Sequence, residues 1–149
     1  MQGTQINTQS QNNKYSLCLI VTRHQLLEMQ KKDVENICSQ HIITPELPTN
    51  PQQVRELIKP YDVIIGIIPL PMQIQILQNK KKYISFVMES LGITDSKEEA
   101  QTKASQYPGR AVVLPPSKEG ERFRVTLYEG LKLIKEIKVV DEWLIQHQS

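Results

Sequence analysis

Hydrophobic positions along this chain fall into short runs separated by segments of helical period. Ser16–Thr22 (SLCLIVT) is nearly all apolar and rich in β-formers, the pattern of a strand covered on both faces, as in a parallel sheet. From His24 to about Gln40 the period changes: Leu27, Val34, Ile37 and Cys38 share one side of a helix. His41–Thr44 reads as a second strand closed by Pro45. Asn50-Pro51 is a helix start, with Asn as cap and Pro in the first helical position. That helix turns Val54, Leu57 and Ile58 inward and stops at Pro60. Asp62–Ile68 (DVIIGII) is a third strand without polar alternation. Pro69 and Pro71 open a helix with Leu70, Ile74 and Leu77 on one stripe.

Tyr83–Met88 is the fourth predicted strand. Asp95 to Glu98 fits a capping box for a polar helix ending near Ser105. Arg110–Leu114 is a fifth strand, ended by Pro115-Pro116. Further on, Phe123, Val125 and Leu127 alternate with polar residues, as do Leu131, Leu133, Ile137 and Val139, with Glu129-Gly130 between them. This predicts a C-terminal β-hairpin. A short helix from Asp141, burying Trp143 and Leu144, completes a hairpin-and-helix unit at about 121–147.

Strand–helix alternation through residue 91 predicts an α/β fold: an open, mostly parallel, Rossmann-like sheet with helices on both faces. In such a sheet the first strand has the second on one side and the third on the other. The connections leaving strands one and three diverge, and ligands bind in the crevice between their C-terminal ends. Residues 1–14 are almost devoid of apolar side chains and read as a disordered tail, leaving 15–149 as one domain.

Composition adjusts this picture in three ways. The 149 residues include 18 basic and 16 acidic side chains, a net charge of +2. That balance argues against gripping long nucleic acid, while leaving room for a small anion held by local donors. The two cysteines, Cys18 and Cys38, form no CxxC pair. Cys18 reads as a small core residue, and the pair as thiols of a reducing, cytoplasmic compartment. No apolar run approaches the ~20 residues of a membrane span, and no signal peptide or membrane association is expected.

Candidate chemistry gathers at the predicted strand tips. Thr22 offers a hydroxyl, Arg23 a planar fork of donors matching phosphate, and His24 a group that exchanges a proton near neutral pH. Amides of the following helix N-terminus would add donors. Gly66-Ile67-Ile68-Pro69 allows close backbone approach and fixes a turn; a plain strand end stopped by proline is the alternative. Ser85 and Glu89, at the tip of strand four, are candidates for ribose or base contacts or simply polar loop residues. Lys80-Lys81-Lys82 lies at the opposite edge and reads as a solvated face. Arg110, Arg122 and Arg124 can lend charge to a second site or a partner. No GxGxxG, Walker, Ser-His-Asp, Cys-His or metal-ligand pattern is present, so no cofactor and no metal are expected.

Three segments carry a family resemblance. Val21-Thr22-Arg23-His24 after an apolar strand, DVIIGIIPLPMQIQI (Asp62–Ile76), and Tyr83-Ile84-Ser85-Phe86 resemble, in order and spacing, a small CRISPR-associated family of type III systems. They span residues 17–88. That family is related to the CARF fold, and its members, the ring nucleases, bind and degrade cyclic oligoadenylates. The resemblance implies a homodimer with the messenger, cyclic tetra-adenylate in particular, bound across the twofold axis. It also implies metal-independent attack of a ribose 2′-hydroxyl on the adjacent phosphate; for that chemistry Arg23 can stabilise the phosphorane charge and His24 supply a proton, which makes them the expected catalytic pair. Two departures stand out. The family's Pro-x-His-Leu-like turn reads Pro69-Leu70-Pro71-Met72 here, and residues 92–149 match no family motif. A non-catalytic sensor or sponge, and an interaction domain on the same fold, are the alternatives.

Overall fold

The seven residues Tyr15–Val21 form β1, and β1 becomes fully buried from Cys18 onward. The computed structural model describes residues 14–114, 116, 122–138 and 142–147; the tail predicted over the first residues lies outside these up to residue 13. Six strands make one sheet: β1, β2 (Cys38–Thr44), β3 (Val63–Gly66), β4 (Lys82–Thr94), β5 (Ala111–Leu114) and β6 (Phe123–Ile134), in the order β2-β1-β3-β4-β6-β5. Four helices connect them: α1 (Glu28–Ile37), α2 (Pro51–Ile58), α3 (Leu70–Gln78) and α4 (Lys97–Ser105).

The first four strands run parallel, with β1 between β2 and β3 as the alternating pattern predicted. Two cores flank them. On one face Cys18, Ile20, Val63, Ile65, Ile84 and Phe86 pack with Val34 of α1. On the other, Leu19, Val21, Ile64 and Tyr83 pack with Val54 and Ile58 of α2 and with Met72 and Ile76 of α3. Strictly alternating residues of β1 thus serve opposite cores, which is why its sequence shows no polar alternation. The Asn50 side chain accepts from Gln52 N at 2.8 Å and caps α2 as expected.

The second half differs from the expectation of a mostly parallel sheet. β6 runs antiparallel to both neighbours, β4 and β5, so the sheet is mixed. β5 therefore lies parallel to β4 one place away, and β6 fills the gap that the β4–α4–β5 crossover leaves. The predicted hairpin is not formed: β6 passes straight through Glu129-Gly130. Val87 pairs with Gly130 and Met88 with Tyr128, so Glu129 is left over as a β-bulge. The bulge resets the alternation and keeps Tyr128 and Leu131 on one core face. What looked like a turn is one extra residue, and the partner of both predicted arms is the long β4. The hairpin's distal positions Val139 and Val140 lie outside the described residues.

Other boundaries move for local reasons. Leu27 is extended (φ −68°, ψ 157°), so α1 begins at Glu28 rather than His24. Pairing of Tyr15 with Cys38 and Leu17 with Gln40 draws Cys38–Gln40 out of the predicted helix into β2. Ser96, not Asp95, caps α4, accepting from Glu99 N at 3.1 Å. The predicted terminal helix is absent over 142–147, where Trp143 and Leu144 are 75% and 91% exposed instead of buried; its start, Asp141, lies outside the described residues. So short a segment does not hold a helix without a surface to pack on.

The cysteines also depart from expectation. Cys18 and Cys38 are joined in a disulfide with Cα atoms 6.1 Å apart, within the ordinary span of such bonds. Neither is a free thiol, so they give no support to a reducing compartment. Among the described residues no helix is long and apolar enough to cross a membrane.

Candidate functional site

Val21 pairs with Thr44 on one side and with Gly66 on the other, so three parallel strands end at one level. Thr22 N makes a last rung to Thr44 O at 2.9 Å, and the chain then turns. The turn is closed by Thr22 Oγ1, which lies 3.1 Å from His24 N and accepts its hydrogen. Arg23 and His24 are consequently exposed side by side at the tip. Arg23 Nε donates to Pro45 O at 3.4 Å, which leans the side chain toward the β2 exit and leaves its terminal nitrogens without a described partner.

Gly66 is required by contact. A Cβ there would meet Val21 O at 2.5 Å, so only a residue without a side chain lets β3 approach the end of β1. The loop that follows splits its side chains: Ile67 is 64% exposed and Ile68 is buried. Pro69 caps α3, its carbonyl accepting from Met72 N and Gln73 N at 3.0 and 3.1 Å. Gln73 Nε2 donates to Ile68 O at 2.6 Å. Beneath, the buried Tyr83 hydroxyl donates to Gly66 O at 2.9 Å. Burial pushes the Tyr83 pKa up, against opposing hydrogen bonds from the Ser85 side chain and the Ile68 backbone. Ser85 itself donates from Oγ to Phe86 O at 3.3 Å.

Of the residues singled out in the sequence, Thr22, Arg23, His24, Gly66, Ile67, Ile68 and Pro69 fall at or just beyond the adjacent ends of β1 and β3, whereas Ser85 is not at a strand tip: it lies inside β4, which runs on to Thr94, one residue past the Ile65–Ile84 pair. Ile68 turns its side chain into the core and offers only backbone. Glu89 is not brought there. It lies further along β4, opposite Leu127, and its carboxyl is raised from the usual carboxylate range by a hydrogen bond and charge repulsion from Glu129 on the bulge.

The helix-terminus donors predicted after His24 are also displaced. α1 starts at an acidic residue, Glu28; the side chain of Gln30 accepts from Leu27 N at 2.8 Å, and Met29 N donates to Gly109 O at 3.2 Å. Those amides serve the fold rather than a ligand. Arg110 holds Tyr128 O through Nε and Nη2, both at 3.3 Å, and Arg122 pairs with Asp95 at 3.3 Å. Both arginines are thus engaged in the second half of the sheet.

Tyr83, Gln73 and Pro45 O organise the site without having been singled out. A lone tyrosine in an apolar strand is the one available signal, since a buried hydroxyl needs a partner. Two clefts stand out among the described residues, one adjoining the strand tips and one far from them. One of about 610 Å³ beside the β2 exit is lined by Glu46, Leu47, Gln53 and Glu56, whose carboxylates disfavour phosphate. The other, of about 420 Å³, lies at the opposite edge of the sheet. Among the described residues no three His, Cys, Asp or Glu side chains are grouped to hold a metal.

Compared with family models, with curated proteins and with solved structures, the chain matches none.

Proposed function

We propose that the chain is a CARF-like, Rossmann-like ring nuclease that binds and cleaves a cyclic oligoadenylate, with cyclic tetra-adenylate as the first candidate. The observation that carries this reading is the juxtaposition of exposed Arg23 and His24 with the Gly66–Pro69 loop, across the adjacent ends of parallel β1 and β3. Support also comes from the resemblance of residues 17–88 to that CRISPR-associated family. In this reading two copies pair, in the cytoplasm, with the messenger on their twofold axis.

The chemistry fits the side chains. A ribose 2′-oxygen attacks the adjacent phosphorus, the P–O5′ bond breaks, and a 2′,3′-cyclic phosphate forms. The 2′-hydroxyl loses its proton to solvent and the leaving 5′-oxygen takes one from His24. The Nη atoms of Arg23, which have no partner among the described residues, meet the charge that builds on the non-bridging oxygens, an interaction worth ~10²-fold or more in rate. Exposed Ile67 and Leu70 offer apolar surface to adenine faces.

The test is incubation of the purified chain with cyclic tetra- and hexa-adenylate in EDTA. Linear products ending in 2′,3′-cyclic phosphate, abolished in Arg23→Ala, support the reading. An intact ring at micromolar protein overturns cleavage. The second reading, a messenger-binding sponge, is favoured by one observation: no described residue orients the His24 imidazole. Calorimetry showing tight binding without turnover would select it. If no nucleotide shifts the melting temperature, both nucleotide readings give way to an interaction domain.

A further inference from the structure

The net charge of +2 conceals a polar distribution. α2 and α3 both end at the sheet edge opposite Arg23, β4 begins there, and antiparallel β6 ends there, since Ile134 pairs with Tyr83. This topology brings Arg55, Lys59, Lys80, Lys81, Lys82 and Lys135 to one rim, against Glu56 and Asp62, and leaves the rest of the chain net negative. Between the ends of α2 and α3 lies the cleft of about 420 Å³, lined by the cations Arg55, Lys59 and Lys81, one carboxylate, Glu56, and Gln52, Ile58 and Asn79.

Lys80 adds a second, independent observation. Lys81 N donates to Ile76 O at 3.1 Å and Lys80 N to Leu77 O at 3.0 Å, closing α3 with the two bonds of a Schellman motif. The motif needs a left-handed residue, and Lys80 takes that conformation at φ 61°. Glycine fills such positions without steric cost. The chain holds a lysine there instead, which places an exposed cation on the rim in a conformation that glycine adopts at lower cost. Lys81 Nζ donates to Lys59 O at 3.1 Å. None of the six cations takes part in the two ion pairs found among the described residues.

We propose that this rim and cleft grip the phosphodiester backbone of a single-stranded nucleic acid, at a surface separate from the Arg23 crevice. Cations delivered by three chain segments, with Arg55, Lys59 and Lys81 lining a concave cleft, suit a flexible strand whose phosphates are spaced along it. A membrane would require apolar insertion beside the charges. The exposed Ile42, Ile43, Ile67 and Leu70 lie toward the other edge; within the described strands and helices Leu133 is the exposed large apolar side chain near the rim, and Trp143, Leu144 and Ile145 are exposed beyond the end of β6.

The test is fluorescence anisotropy of a labelled oligouridylate, beside co-sedimentation with phosphatidylglycerol vesicles. If four phosphates are neutralised, affinity falls about 50-fold between roughly 50 and 200 mM salt. The triple variant Arg55→Gln/Lys59→Gln/Lys81→Gln, its fold checked by circular dichroism, is expected to bind at least tenfold more weakly with a shallower salt slope. Lys80→Gly should bind several-fold more weakly while melting at a higher temperature, a combination that loss of folding cannot produce. Arg23→Ala should bind the oligonucleotide as wild type does, whatever its effect on a cyclic messenger. Binding that survives the triple variant, binding lost in Arg23→Ala, or capture by vesicles but not by RNA would each overturn the proposal.

Discussion

The Tyr83 hydroxyl reaches beneath the end of β3 and donates to the Gly66 carbonyl oxygen at 2.9 Å. The bond lies in a buried position and joins β4 to the loop that faces Arg23 and His24. It satisfies two groups at once, a phenol in the core and a carbonyl beyond the last rung of the sheet. Tyr83→Phe removes the donor and leaves the carbonyl buried. A loss of about 1–2 kcal/mol is expected, since stranding one partner costs more than a net hydrogen bond contributes. Urea denaturation measures it, and an unchanged midpoint would show that the loop is held by other contacts.

Gly66 is the companion case. A methyl group there would lie 2.5 Å from Val21 O, with backbone rather than a movable side chain in the way. Gly66→Ala must push β3 away from β1 or rotate the loop. A destabilisation of roughly 2 kcal/mol or more is expected, within the range for overpacked positions. Gly130, whose added Cβ would meet nothing within 4 Å, is the internal control. Gly130→Ala should cost clearly less than Gly66→Ala in the same melt, any cost there arising from its φ of 149° alone.

These two residues show what the sequence made legible and what it hid. Gly66 was visible because a glycine inside an apolar strand signals close approach. Thr22, Arg23 and His24 were visible because the strand–helix period ends just before them. Tyr83 was hidden: its role depends on how deep β4 sits beside β3, and periodicity carries no register. The Glu129-Gly130 bulge was misread for the same reason. A two-residue break in alternation looks alike whether the chain reverses or carries one extra residue, and only the length of the partner strand decides. The Cys18–Cys38 bond was hidden because parallel pairing of β1 with β2 brings together residues whose 20-position separation has no local signature. The first half was legible because local period and parallel topology agree there. β6 was not, because its neighbours come from β4 and β5.

Tyr128 supplies a pH-dependent element on the opposite core face. Its hydroxyl donates to Asp33 Oδ2 at 2.7 Å, tying β6 to α1, and its ring meets Phe86 edge-to-face at 5.9 Å. Burial, reinforced by the hydrogen bond to Asp33 and by its negative charge, raises the phenol far above its ordinary value of 10.0. The folded state therefore holds the proton more tightly than the unfolded chain. The contribution is fully present below about pH 10 and is lost as pH climbs beyond the unfolded value. The melting temperature of wild type is expected to fall more steeply above pH 10 than that of Tyr128→Phe, which starts lower. Parallel curves for the two proteins would rule out this linkage.

The disulfide is the last lever, and it acts on the unfolded chain as much as on the folded one. Cys18 lies in the middle of β1 and Cys38 at the first residue of β2, so the bond encloses α1 and the whole Thr22–His24 turn. Closing a loop of this length stabilises by about 3 kcal/mol in the chain-entropy account. For a domain of this size that corresponds to a fall of roughly 6–12 °C in melting temperature on reduction. Both sulfurs are buried, so reductant should act slowly on the native protein and fast once urea opens it. Mass spectrometry after alkylation counts the thiols. Cys18→Ala/Cys38→Ala should melt lower by a similar margin and lose all response to reductant. The two sulfurs pack in one core cluster, so Cys18→Ser/Cys38→Ser should melt lower still, because it buries unpartnered hydroxyls. Equal melting of the oxidised and reduced wild type would show that the α1 and β2 contacts alone fix this corner of the sheet.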